Sequence, residues 1–158
     1  MTSSLEFSRN RATALEIADH LAQNDDAFVP PLHERVKIGD YSQKIAGRAE
    51  RFEAWADGNL VGLVAAYCND TEARAAYITS VSVIPTFRNR GIASRLLADC
   101  VKLVRHRQFE GISLDVDQDN KPAAGLYEAK GFEVISVSGR TIRMHLDTRE
   151  DVRMGSQS

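Results

Sequence analysis

The sequence predicts a mixed α/β domain, one central sheet of parallel and antiparallel strands with helices on both faces. Three observations carry this. Apolar spacing switches between period two and period 3.6 in the order β-α-α-β-β-β-α-β-α-β-β. A strand at 77–84, a helix after Gly91 and a strand at 112–117 form a β-α-β unit, whose crossover makes the two strands parallel neighbours. The runs on either side are joined by hairpin signals, Asp57-Gly58-Asn59 and Ser138-Gly139.

In chain order, 5–8 reads as a first strand. Asn10 precedes a helical pattern with Ala14, Ile17, Ala18 and Leu21 on one face, ending near Asn24. The two prolines of 25–36 mark a loop. A second helix is expected over 40–50 with Asp40 as its cap, followed by paired strands at 51–56 and 60–68. In 77–84, Val81 and Val83 fall on one face and Ser80 and Ser82 on the other. The helix after Gly91 carries Ala93, Leu97, Cys100, Val101 and Val104 at helical spacing. In 112–117, Ile112, Leu114 and Val116 point inward and Ser113, Asp115 and Asp117 take the other face. A short helix follows Asn120, with Pro122 in its first turn and Gly131 as its stop. Strands at 132–137 and 141–146 close a single domain over 1–146, and 147–158 reads as a polar tail that frays.

Composition narrows the function classes. The chain has 158 residues, 43% hydrophobic and 27% charged, the proportions of an ordinary globular domain. A net charge of −2 argues against binding nucleic acid or an acidic membrane through bulk charge. Cys68 and Cys100 form no CxxC, and the four histidines have no zinc-like spacing, so no metal site is expected and both cysteines read as packing. The first sixteen residues carry no apolar signal-peptide core, and no run approaches a membrane span. The expected compartment is the cytoplasm.

The stretch Arg88-Asn89-Arg90-Gly91-Ile92-Ala93 is where a plain connection would be simpler. A helix start leaves backbone N–H groups without partners and carries a partial positive charge. Here those donors lie beside two arginines and a glycine, which suits a phosphate or pyrophosphate. The spacing is neither that of a P-loop nor that of the Rossmann fingerprint. A simple turn with solvated arginines explains the stretch equally well.

The segment 112–132 breaks that tie. It runs Leu114-Asp115-Val116, then Asn120, Ala123, Leu126, Tyr127, Gly131 and Phe132. Together with the Arg88–Ala93 stretch and the Val83-Ile84-Pro85 that precedes it, this pattern resembles the GCN5-related N-acetyltransferase superfamily. The resemblance covers 54–146 well and the first fifty residues in outline. It implies an acyl-CoA N-acyltransferase-like fold, acetyl-CoA as donor and direct attack by an amine, with no metal.

The resemblance also implies roles. Backbone amides of Arg88, Asn89, Arg90, Gly91, Ile92, Ala93 and Ser94 would hold the pyrophosphate. Val81 and Val83 would pair with the pantetheine arm, and Asn120 would contact it while also capping a helix. Tyr127 would be the general acid for the departing thiolate. A lysine-like amine costs about 4–5 kcal/mol to neutralise at pH 7, so a base is wanted. The glutamate that many family members carry on the strand before the phosphate loop is missing, since that place reads Thr79-Ser80. Asp115 is the expected base, acting directly or through water. A small-molecule amine such as an amino sugar or amino acid is the expected acceptor. A protein N-terminus or lysine is the alternative, and a non-catalytic acyl-CoA sensor the alternative of another class. Homodimerisation through the last strands is possible within the family's pattern.

Overall fold

A computed structural model of the chain describes residues 4–149. Its centre is a seven-stranded sheet in the order β1-β2-β3-β4-β5-β7-β6. The strands are β1 (Leu5–Arg9), β2 (Ala49–Ala56), β3 (Asn59–Asp70), β4 (Ala75–Val83), β5 (Gly111–Asp117), β6 (Glu133–Ser138) and β7 (Thr141–Asp147). The β4–β5 pair is parallel, and every other neighbouring pair is antiparallel. This is the mixed sheet the sequence predicts.

Four helices cover the two faces: α1 (Ala14–Gln23), α2 (Ile38–Arg48), α3 (Ile92–His106) and α4 (Lys121–Ala129). One core lies between the sheet and the α3/α4 side and includes Ile92, Leu96, Leu97, Cys100, Ile112 and Leu114. The other lies under α1 and α2, around Ile17, Leu21, Ile45, Trp55 and Leu63. Burying apolar surface on both sides of one sheet, at about 25 cal/mol per Å², is what binds the layers together. Both cysteines are free and buried.

Local signals account for the boundaries, including those that differ from the sequence reading. α1 begins later than Asn10. Thr13 caps it with a full capping box, its hydroxyl accepting from the Glu16 amide while the Glu16 carboxylate accepts from the Thr13 amide. Asn10 instead takes a positive φ and accepts a hydrogen bond from the Arg51 amide. α2 starts at Ile38, not Asp40, because Lys37 provides the entry without a side-chain cap; Asp40 lies in the first turn, where the helix dipole favours it. The 25–36 loop contains two short 3₁₀ turns, Asp25–Ala27 and Leu32–Glu34. The start of the expected tail is ordered: Asp147 belongs to β7, and the buried Thr148 donates its hydroxyl to the Phe109 carbonyl. The rest of that expectation, from residue 150 on, lies outside the described residues.

Gly62 sets how closely α3 lies on the sheet. A Cβ there would sit 2.7 Å from Ile92 Cγ2 and 3.3 Å from Ala54 Cβ. Replacing Gly62 with Ala must push the first turn of α3 off β3. Equilibrium urea unfolding of Gly62→Ala should show a loss of about 1–3 kcal/mol, the usual cost of overpacking. An unchanged midpoint would mean that α3 is not held this closely.

Candidate active site

The site begins with one extra residue in β4. Along β3–β4, Ala65 pairs with Ser80 but its neighbour Ala66 pairs with Ile78, so Thr79 is bulged out of the ladder. Before the bulge, Ala76 and Ile78 face the α3 core. After it, Val81 and Val83 take that side, and Ser82 turns to the α1 side to meet His20. The parallel ladder between β4 and β5 runs from Ala75↔Gly111 to Ile78↔Leu114 and stops where the bulge begins. Beyond that point the strands separate. The β5-facing edge of Thr79–Val83 is left without a strand partner, and its backbone groups face the gap.

That gap is part of a cavity of about 610 Å³, within the roughly 300–1,000 Å³ of small-molecule sites. Its walls are the separated ends of β4 and β5, the first turns of α3 and α4, and the loop after α1. α3 starts at Gly91, which sits at φ +77°, two residues after Asn89 at φ +63°. Only glycine takes that conformation without strain. No side chain caps α3 and its first turn holds no acidic residue, so its leading amides stay available to an anion.

The residues singled out from the sequence converge here. Val81, Val83, Arg88, Asn89, Gly91, Ile92, Ala93, Ser94, Asn120, Asp115 and Tyr127 all line the cavity, whereas Arg90 does not. The Arg90 guanidinium lies over the Phe87 ring, 4.8 Å from its centroid. Asn120 caps α4, its side chain accepting from the Ala123 amide at 3.4 Å. Tyr127 is buried against Phe132 with its phenol pKa pushed up to about 12 by burial, so it stays protonated at any physiological pH.

Asp115 is held as a paired carboxylate. Arg143 donates Nε to one carboxylate oxygen at 2.8 Å and Nη2 to the other at 2.9 Å, and the Tyr77 hydroxyl adds a third bond at 3.1 Å. These donors, Arg143 first, hold its pKa below the ordinary carboxylate value. Asp117 is likewise pulled down, first by the Asp119 amide and then by Arg140.

Sequence reasoning missed the contacts that hold this geometry. The Tyr41 hydroxyl of α2 contacts both the carbonyl and the hydroxyl of the bulged Thr79 at 2.7 Å. Arg88 turns inward, donating Nε to the Val83 carbonyl at 2.9 Å and Nη2 to Asn24 Oδ1 at 3.0 Å. Asn24 in turn donates to the His20 carbonyl. His20 is 1% exposed. The Leu60 carbonyl accepts from its Nδ1–H, which leaves Nε2 to accept from the Ser82 hydroxyl at 2.8 Å. The signal for His20 was its place beside Ile17 and Leu21 on the apolar face of α1; the partners of Arg88 and Tyr41 are too distant in sequence for any local signal.

Comparison with known proteins identifies the family. The model of the acetyltransferase (GNAT) family matches residues 15–132, and the chain belongs to that family, whose members use acetyl-CoA. It is 33% identical over 82 residues to the N-alpha-acetyltransferase MAK3 of Arabidopsis thaliana, covering 51% of this chain and 43% of that protein. It is 30% identical over 137 residues to mycothiol acetyltransferase of Clavibacter sepedonicus, covering 79% of this chain and 42% of that protein. The chain thus spans less than half the length of these curated relatives. In fold it is similar to the ribosomal-protein-S18-alanine N-acetyltransferase of Escherichia coli, with TM-score 0.74, 19% identity, and coverage of 94% and 96% of the two chains. It is also similar to PaiA N-acetyltransferase of Thermoplasma acidophilum, solved in complex with coenzyme A, with TM-score 0.70, 15% identity, and coverage of 91% and 99%.

His20 makes the site's scaffold sensitive to acid. Burial, opposed by its hydrogen bonds, lowers its pKa from 6.5 to about 4. The unfolded chain therefore binds the proton first as pH falls, so stability is lost from pH about 6.5 down to about 4. The loss is on the order of 3 kcal/mol. Urea unfolding of the native protein and His20→Gln at pH 7 and pH 4 should show their difference shrinking by that amount; a constant difference would refute the assignment.

Proposed function

We propose that this protein is an acetyl-CoA-dependent N-acetyltransferase acting on the amine of a small molecule. The observation that carries the reading is the bulge at Thr79, which opens β4 from β5 and leaves a backbone edge that leads to the uncapped amides of α3. An extended pantetheine arm fits the edge as a further strand would, along Val81 and Val83. A pyrophosphate suits the amides from Asn89 to Ser94, with Asn120 at the opposite wall. The thioester then lies near the bulge, where the free edge offers N–H donors to the oxyanion that forms as the amine attacks.

Tyr127 serves as the acid. Its phenol faces the same cavity as the β4 edge, and burial keeps its proton in place until a thiolate forms beside it. Protonating the leaving sulfur drives the tetrahedral intermediate forward, and the phenolate then recovers its proton from water. Asp115 takes a different part from the one expected from sequence. With three hydrogen bonds on its carboxylate it fixes the Tyr77 ring and ties β5 to β7 at the cavity wall. The attacking amine gives its proton to water at the open end.

A small acceptor is favoured because the loop after α1, from Ala27 to Pro30, forms one wall of the cavity instead of leaving a peptide-length groove. The likeness to MAK3 and to the S18-alanine enzyme supports the second reading, a protein N-terminus as acceptor. A panel of small amines set against peptides with free N-termini separates the two.

Replacing Tyr127 with Phe should lower kcat by about 10²–10⁴ while acetyl-CoA affinity, measured by calorimetry, stays within about threefold. Retained turnover in that variant would remove the acid role; absence of turnover in the native protein with every amine would favour a sensor. Because both carboxylates lining the cavity are paired, kcat/KM should rise with pH toward the acceptor's own amine pKa. Profiles for two amines of different basicity should therefore break at different pH values, and a common break near pH 4–5 would restore a carboxylate base.

A further inference from the structure

Four charged side chains line the cavity: Arg35, Arg88, Asp115 and Asp117. Three are already engaged. Arg143 holds Asp115 and Arg140 holds Asp117, and neither of these arginines lines the cavity itself. Arg88 gives its donors to Val83 and Asn24. Arg35 is different. It is an exposed residue whose side chain, among the described residues, makes no hydrogen bond and no ion pair; its guanidinium lies 5.9 Å from the centroid of the Phe28 ring. It is close enough to both Tyr41 and Asp117 to act on them electrostatically. Its neighbour Phe28 belongs to the loop after α1, so Arg35 stands on the wall that this loop gives the cavity.

Asp115 is paired with Arg143 and Asp117 shares Arg140 with Asp119, which leaves Arg35 as a cavity cation whose guanidinium donors are not already committed. A planar guanidinium with five unused donors is suited to a carboxylate or a phosphate, which it grips through two parallel bonds. The same charge lowers the pKa of a nearby amine, which helps it attack as the free base. We propose that Arg35 anchors an anionic oxygen group on the acceptor. The substrate is then a small amine that also bears a carboxylate or a phosphate, rather than a polyamine or an uncharged amine. This rests on the acetyl-transfer reading above.

The test uses the whole protein and matched pairs of acceptors, with release of the CoA thiol as the signal. β-Alanine is set against β-alaninamide for the carboxylate arm, phosphoethanolamine against ethanolamine for the phosphate arm, and spermidine serves as the cationic control. In the native protein the acid-bearing member of one pair should be favoured by about 10–100-fold in kcat/KM, the range expected of a hydrogen bond between charged groups. Which pair responds identifies the anion. In Arg35→Gln that preference should fall to about twofold or less, chiefly through KM for the acceptor, with KM for acetyl-CoA unchanged, and Arg35→Lys should restore part of it. Equal rates within both pairs, a preference for spermidine, or a preference that survives Arg35→Gln would overturn the proposal. If acetyl-CoA binds by calorimetry but no amine or peptide is acetylated, the transferase reading itself fails, and the proposal falls with it.

Discussion

A single residue without a ladder partner, Thr79, sets the shape of the functional half of this molecule. Had β4 stayed regular, Ile78, Ser80 and Ser82 would share one face, and two hydroxyls would lie in the apolar layer under α3. The bulge shifts the alternation by one, so the serines turn toward α1 and the valines replace them. It also ends the parallel ladder at Ile78↔Leu114. A bulge leaves backbone groups unpaired, and buried unpaired groups are costly, so it persists only where another group satisfies it. Tyr41 does so from α2, by bonding the Thr79 carbonyl.

The two faces of the sheet meet at this point. α3 lies close on β3 because Gly62 leaves no side chain between them, and its first turn brings amide donors to the cavity. On the other face α1 is tied to β4 and to the α3 entry through His20, Ser82, Asn24 and Arg88. Arg88, three residues before Gly91, therefore acts as a brace for the loop that leads into α3. Each of these bonds is worth about 0.5–1.5 kcal/mol net, but together they fix the relative position of an uncapped helix start and an open strand edge. That relation, more than any single side chain, is what an acyl donor requires.

Much of this was legible in the sequence. All the strands and helices follow from period and turn chemistry, because long amphipathic runs such as α3 state their partner face unambiguously. The convergence of Asn120 and Tyr127 with Gly91 was legible from the two motifs taken together. Even the bulge left a trace: the apolar positions 76, 78, 81 and 83 step by two, then three, then two. Read as a regular strand from 77 to 84, that break passes unnoticed. The start of α2 was obscure because Lys37 offers no capping side chain. The roles of Arg88 and Asp115 were obscure for another reason. Their partners Asn24 and Arg143 lie 64 and 28 residues away, and only the folded chain brings them together.

Asp115 shows why placement alone does not assign chemistry. Sequence alternation put it on the right face of β5, and it does line the cavity. A general base near neutrality needs an environment that disfavours its charge, whereas Arg143 and Tyr77 favour it. The same pairing has a consequence for the whole cavity. Arg143 pairs with Asp115, and Arg140 is shared by Asp117 and Asp119, so both cavity acids are held as struts. Among the described residues, the cavity therefore presents no carboxylate that is free of an arginine partner.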